Sequence, residues 1–189
     1  MRSPGDLPLF RWEEAHRRER QARHRRLRLL AFGLTGGAAI MVPPIFSPVP
    51  RLVWNVSASA PMGPYAVSPG APLARGDMVA ARTPLVVRAL AAARRYVPAN
   101  VPLVKRVAAV PGDRVCTIGA VVSVNGVEAA RRLARDPSGR PMPWWRGCRL
   151  LHSDEYLLLM PAAASFDGRY FGPIHRRDIL GKAVPLWAR

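Results

Sequence analysis

The feature that most constrains this chain is a run without a single charged residue, Leu29 to Pro50, placed directly after a segment crowded with arginine. Its first part, Leu29–Phe46 (LLAFGLTGGAAIMVPPIF), is 18 residues long, near the lower limit for crossing a bilayer core. Gly33, Gly36 and Gly37 are tolerated in such a helix, and Pro43-Pro44 are expected to end it near the far interface. Residues 1–28 hold nine arginines against four acids. That excess predicts a cytoplasmic amino terminus, with everything after Pro50 on the other side of the membrane. Three other readings compete with a retained anchor. A cleaved secretory signal would use the small-x-small triplet Ala58-Ser59-Ala60, although Pro61 follows it and the basic region is long for a signal. A buried core helix would place Arg17–Arg28 badly at its mouth. A basic nucleic-acid-binding arm would want aromatic platforms among its arginines, and aromatics are only 7% of the chain.

Composition narrows the remainder. The formal charge is +17, with 29 Lys+Arg against 12 Asp+Glu, and all but Lys105 and Lys182 of those bases are arginine. This favours anionic partners such as membrane lipid, without an indication of specific nucleic-acid recognition. Twenty prolines argue against a long helical bundle, since each removes a backbone donor. Two cysteines, with no CxxC or Cys/His cluster, point to no metal, and no cofactor motif is present.

Residues 51–189 read as short strands. Gly76-Asp77 introduces Met78–Ala81, and Val121–Val124 meets Val127-Glu128 through Asn125-Gly126, a strong hairpin signal. Tyr156–Met160 suits a buried strand, and Arg131–Arg149 reads as a long loop. One helix is expected, from Leu85, Ala89, Ala92 and Tyr96 at helical spacing before Pro98. The predicted organisation is a basic tail (1–28), a membrane helix (29–46) and a mainly β domain (51–189) with one short helix.

Three stretches could carry chemistry. In Asn55–Tyr65 (NVSASAPMGPY), Ser59 could attack a carbonyl while the Ser57 hydroxyl and the Ser59 N–H face the developing oxyanion; the plain alternative is a Ser/Ala/Pro linker. In Val101–Val115 (VPLVKRVAAVPGDRV), Lys105 stands among Leu103, Val104 and Val107. A desolvated lysine can lose its proton, which arginine cannot, so the residue is either a base or a lysine reaching out from an edge strand. Pro111-Gly112-Asp113 reads as a turn. In Ser165–Pro173 (SFDGRYFGP), Asp167 and Arg169 are spaced to pair and Ser165 to bond a polar neighbour. A Ser-His-Asp scheme has only His152 and His175 to draw on, and neither sits in a motif.

Taken in order, these stretches resemble peptidase family S26, the Ser/Lys signal peptidases of bacterial membranes, and within it the TraF-type peptidases of conjugative transfer. Ser59 falls at the nucleophile, Ser57 at the oxyanion position, and Lys105-Arg106 with Pro111-Gly112-Asp113 at the catalytic-lysine box. Arg75-Gly76-Asp77-Met78-Val79 is similar to the strand box between them. Ser165, Asp167 and Arg169 match the last box, whose serine supports the lysine and whose Asp and Arg pair structurally. The Ser59-Ala60-Pro61-Met62-Gly63-Pro64-Tyr65 form departs from the Ser-Met-x-Pro of general signal peptidases. Gly168 stands where those have serine, and the usual Gly-Asp-Asn-Arg lead-in is missing. The resemblance implies a signal-peptidase-like β ectodomain and a membrane-anchored serine endopeptidase of the bacterial inner membrane, with its catalytic domain in the periplasm. Its substrates would be preproteins cut after small residues, a conjugative pilin precursor among them, resolved by water or by cyclisation, with conjugative transfer machinery as a partner. A non-enzymatic, membrane-tethered basic module remains the rival class. In an exported domain, Cys116 and Cys148 suit a disulfide better than a nucleophile pair.

Overall fold

The computed structural model describes the backbone of residues 8–46 and 49–187, and within the first helix the side chains of residues 16–38. The chain divides into two units, residues 1–48 and 49–189.

The first unit is one helix, α1 (Pro8–Phe46). At 1.5 Å per residue, its 39 residues extend for roughly 60 Å. The arginine-rich segment, read from sequence only as a tail, is thus helical from Pro8 and continuous with the apolar run. Pro43-Pro44 do not end the helix, which reaches Phe46. Leu29, Leu30, Phe32 and Leu34 are all more than 60% exposed. Among the described residues, no helix is long and apolar enough to cross a membrane. Part of the segment expected to span, the side chains from 39 to 46, lies outside them.

The second unit is mainly β. Its strands are β1 (Leu52–Asn55), β2 (Gly63–Ser68), β3 (Met78–Ala81), β4 (Leu103–Ala109), β5 (Arg114–Ile118), β6 (Val121–Val124), β7 (Val127–Arg131), β8 (Gly147–Leu150), β9 (Glu155–Leu159), β10 (Ile174–His175) and β11 (Ile179–Pro185). They form a seven-stranded antiparallel sheet, β1-β2-β11-β3-β4-β9-β10, and a four-stranded one, β7-β6-β5-β8. Strand alternation sends side chains to both faces of the large sheet, and both are filled. Tyr65, Val67, Ala80, Val104, Leu180 and Ala183 make one cluster; Val79, Val107, Leu158, Ile174 and Ile179 make another. The small sheet packs Val115, Val122 and Val124 against Leu157 and Leu159 of β9.

The Asn125-Gly126 turn follows its sequence signal. Both residues have positive φ, 51° and 84°, as a tight hairpin turn with right-handed twist demands. The expected helix is α2 (Leu85–Ala93), but the face is different. Val87 and Ala91 are the buried pair, whereas Leu85 is 78% exposed. Leu85, Ala89, Ala92 and Tyr96 supply the helical spacing, but the residues that meet Met142, Phe166 and Tyr170 are Val87 and Ala91. Helicity ends at Ala93, well before Pro98, because Arg95 turns left-handed at φ 60°. Its N–H bonds Ala92 O and that of Tyr96 bonds Ala91 O, the Schellman closure.

Two further expectations are corrected. The helix is not alone: α3 (Gly168–Phe171) and a 3₁₀ turn at Arg176–Asp178 follow. The segment Arg131–Arg149 is not wholly loop, since it carries β8 and an Arg135–Pro141 bridge. Cys116 and Cys148 are direct partners of the β5–β8 ladder and are joined as a disulfide. Cross-strand pairing brings their Cα atoms within 4.0 Å, which no reading of sequence separation would have shown.

Candidate active site

Ser57 and Ser59 lie in the connection from β1 to β2, and Asn55 at the end of β1 dictates its shape. Asn55 is 3% exposed. Its amide nitrogen donates to the carbonyls of Ser57, Ala60 and Pro61 at 2.9, 3.1 and 3.0 Å, and its oxygen accepts from the Ser57 N–H at 3.1 Å. Tyr65 adds a bond from its hydroxyl to Pro61 O, 2.9 Å. A loop that would otherwise carry unsatisfied carbonyls is thereby fixed, with Ser57 and Ser59 partly exposed on its rim. The sequence reading missed Asn55, although an asparagine at the end of a strand commonly bonds the backbone two residues on, as it does here to the Ser57 N–H.

Lys105 enters from β4, with Val79 as its direct partner on β3. By strand alternation it shares a face with Leu103 and Val107, while Val104 points the other way into the Tyr65 cluster. The side chain is 3% exposed, and Nζ donates to Ser59 Oγ at 2.7 Å and to Ser165 Oγ at 2.9 Å. Loss of hydration pulls the Lys105 pKa down to about 8. Asp167 opposes that shift, and Arg169 adds to it. Both neighbours are buried, so the net effect is set by desolvation rather than by a bare opposite charge.

Ser57 Oγ lies 2.6 Å from Ser59 Oγ and accepts from the Ser59 N–H at 3.3 Å. The Ser57 hydroxyl and the Ser59 amide therefore stand side by side next to Ser59 Oγ. The four groups form one hydrogen-bonded line, Ser57–Ser59–Lys105–Ser165.

Ser165 is placed by the turn that follows β9. Asp167 is wholly buried and Arg169 nearly so. Arg169 Nε donates to Asp167 Oδ1 at 2.8 Å and Nη2 to Oδ2 at 3.1 Å, the two-pronged contact its planar fork allows. Asp167 also accepts from the N–H groups of Met160 and Arg169, and the guanidinium donates onward to the carbonyls of Met160, Arg131 and Ala163. Every charged atom has a partner, the condition under which a buried pair is tolerated. Gly168 has a steric cause: a Cβ there would lie 2.7 Å from Leu158 O and 2.8 Å from Leu157 Cδ1. In addition, its carbonyl accepts from Trp145 Nε1 at 2.9 Å.

The serines and the lysine open onto a cleft of about 310 Å³ whose other walls include Ala58, Ala162, Ala164, Phe166, Tyr96 and Val97. Neither His152 nor His175 lines it; His175 pairs with Asp154 at the surface, 2.8 Å. Asp113 does not enter the cleft. It ties the Pro111-Gly112 turn to Arg75 (2.6 Å) and Asn125 (2.9 Å). Lys182 pairs with Asp77, 2.7 Å. Among the described residues, no cluster of three or more His, Cys, Asp or Glu side chains is placed to hold a metal ion. Chemically, the cleft unites a hydroxyl, an amine of lowered basicity and two donors for an anion.

The chain belongs to the signal peptidase family, peptidase S26, whose pattern it matches over residues 24–187. Within that class it is similar to the plasmid transfer protein TraF of Escherichia coli, 35% identical over 143 residues, covering 70% of this chain and 80% of that protein. The probable conjugal transfer protein TraF of Sinorhizobium fredii is 37% identical over 139 residues, covering 68% and 73%. Among solved structures, a signal peptidase I of Enterococcus faecalis aligns with 98% of its length and 61% of this chain. Its identity is 19% and its TM-score 0.35.

Proposed function

We propose that this protein is a membrane-anchored serine endopeptidase in which Ser59 is the nucleophile and Lys105 its base. The observation that carries the reading is Lys105 Nζ, buried and held between Ser59 Oγ and Ser165 Oγ at 2.7 and 2.9 Å. In the neutral form, Nζ takes the proton of Ser59 as Oγ adds to the scissile carbonyl. The Ser59 N–H and a rotated Ser57 hydroxyl donate to the oxyanion. The resulting ammonium returns its proton to the departing amine, leaving an acyl-enzyme that water, or a substrate amine in a cyclising variant, resolves. Asp167 and Arg169 hold the turn bearing Ser165 and do not touch the reacting atoms.

Membership of the signal peptidase family favours cleavage of a preprotein after small residues, and the likeness to conjugal transfer proteins favours a conjugative pilin precursor as that preprotein. Membrane residence is supported by two apolar surfaces. One is the exposed run Leu29–Leu34 of α1, with arginines before it in the positive-inside sense. The other is the outer face of β1, β2 and β11, where Leu52, Trp54 and Val184 are each more than half exposed, joined by Leu186 just after β11, whose N–H bonds Pro64 O. In this reading the amino terminus is cytoplasmic, residues 29–46 anchor the chain in the inner membrane, and residues 51–189 are periplasmic. A serine-acylating probe applied to membranes carrying the protein should label it, with labelling lost in Ser59→Ala and in Lys105→Arg. Undiminished labelling of Ser59→Ala would refute the assignment.

A further inference from the structure

Tyr96 takes no part in the chemistry above, yet it stands at a boundary. It lines the reactive cleft together with Ser59, and it also lines a second cavity of about 200 Å³ that extends toward Leu103 and does not include Ser59. Among the described residues, Ser57, Tyr96 and Val97 border both, and Tyr96 carries the largest side chain of the three at that boundary. Its position is determined at three levels. The Schellman closure of α2 delivers its backbone, with Tyr96 N bonded to Ala91 O at 2.9 Å. The ring lies against Phe166, centroids 5.1 Å apart, next in sequence to Ser165. The hydroxyl donates to Asp136 Oδ2 at 2.5 Å.

Asp136 is an unusual partner for a cleft wall, because it belongs to the segment between β7 and β8. It is 7% exposed and gathers the N–H groups of Ser138 and Arg140 and the Arg140 guanidinium. Burial alone would raise its carboxyl, but these bonds and that of Tyr96 outweigh it and hold the group well below the usual range. A firmly ionised, fully engaged carboxylate is a rigid acceptor. Arg94 and Arg140 stitch the same segment to the end of α2, through Pro141 O and Arg94 O.

We infer that Tyr96, fixed by its bond to Asp136, sets the largest side chain that can sit beside Ser59. With the ring in place, the reactive cleft ends at a wall and suits alanine or another small residue; without it, the two cavities merge and branched side chains fit. The inference rests on the peptidase reading. It is tested on the full chain with synthetic peptides that differ only in Ala or Leu before the scissile bond. Tyr96→Ala should lower the Ala:Leu ratio of kcat/KM by about tenfold or more, the scale of a pocket differing by a few methylenes. Tyr96→Phe and Asp136→Ala should each fall between wild type and Tyr96→Ala, and their combination should be no worse than either alone. Asp136→Asn should behave like Asp136→Ala, because each carboxylate oxygen accepts from two donors and an amide NH2 in either orientation would face a pair of them. An unchanged ratio in an active Tyr96→Ala enzyme would overturn the proposal, as would additive effects in the double variant, since a purely structural role slows both peptides alike. If wild type cleaves neither peptide, the peptidase reading fails on its own. The wall is then read from equilibrium binding of the same peptides to the Ser59→Ala protein, where equal discrimination with and without Tyr96 refutes it.

Discussion

Replacing Lys105 with methionine separates the energetic burden of the buried amine from its chemistry. In the folded protein the group titrates near 8, against 10.5 for an ordinary lysine. Each pKa unit corresponds to about 1.4 kcal/mol, so a protonated Lys105 disfavours the native state by about 3 kcal/mol. The sign follows from proton counts. Below pH 8 both states hold the proton and the full burden is present. Between 8 and 10.5 the unfolded chain holds it and the native state has released it, so native stability rises with pH. Methionine fills similar volume without a titrating group, at the expense of hydrogen bonds to Ser59 and to buried Ser165, about 1–3 kcal/mol for an orphaned hydroxyl. At pH 7 the two effects nearly cancel. By pH 10 the wild type should have gained about 2–3 kcal/mol relative to Lys105→Met. Urea unfolding of the whole chain, followed by tryptophan fluorescence at pH 7, 8, 9 and 10, measures this, because all other titrating groups are common to both proteins. The pH dependence of kcat/KM should rise through a single ionisation near the same value. Parallel stability–pH curves for the two proteins would show that Lys105 is not desolvated as its geometry requires, and its proposed role as a base would lose its physical support.

Gly168→Ser should destabilise the domain by about 1–3 kcal/mol, the usual cost of overpacking, seen as a lower urea midpoint. It should also slow acylation of Ser59, because the same turn carries Ser165. Arg95→Gly removes a side chain from a left-handed position and should stabilise the fold by about 1 kcal/mol, read as a raised thermal midpoint. Reducing Cys116–Cys148, which closes a separation of 32 residues, should cost about 3–4 kcal/mol in the chain-entropy model. Denatured, non-reduced protein should show no labelled thiol, and two labelled thiols would deny the bond.

What was legible in the sequence was local. Asn125-Gly126 announced its hairpin because only certain residues accept positive φ, and Tyr156–Met160 announced a buried strand, observed at Glu155–Leu159, by apolar content alone. The candidate site was legible only through the order of several weak boxes, since a serine between two alanines carries no chemical signal by itself. The features that escaped depend on tertiary packing. The inward face of α2 is chosen by Met142 and Phe166, more than 40 residues away in sequence. Asn55 acts by knitting carbonyls that become orphans only once the β1–β2 connection has formed, and Tyr96 meets Asp136 only after the β7–β8 segment has folded over the helix end.

Lys105 shows why an arginine-rich chain keeps a lysine in this strand. An arginine at this place would meet the same burial, but its guanidinium cannot shed the proton, so the charge would stay in a pocket with no adjacent carboxylate to pair with it. The nearest acid, Asp167, is already committed to Arg169 through both oxygens. That engagement limits how far Asp167 can raise the Lys105 pKa, and Arg169 works against it directly. If Asp167 were unpaired, its full charge would hold Lys105 protonated well above neutrality and the amine would be useless as a base. The buried Asp167–Arg169 pair therefore contributes more than a scaffold for Ser165. By placing a compensated carboxylate near the lysine, it leaves desolvation in control of the proton, and a burial that costs stability becomes the source of an amine that releases its proton near pH 8 rather than above 10.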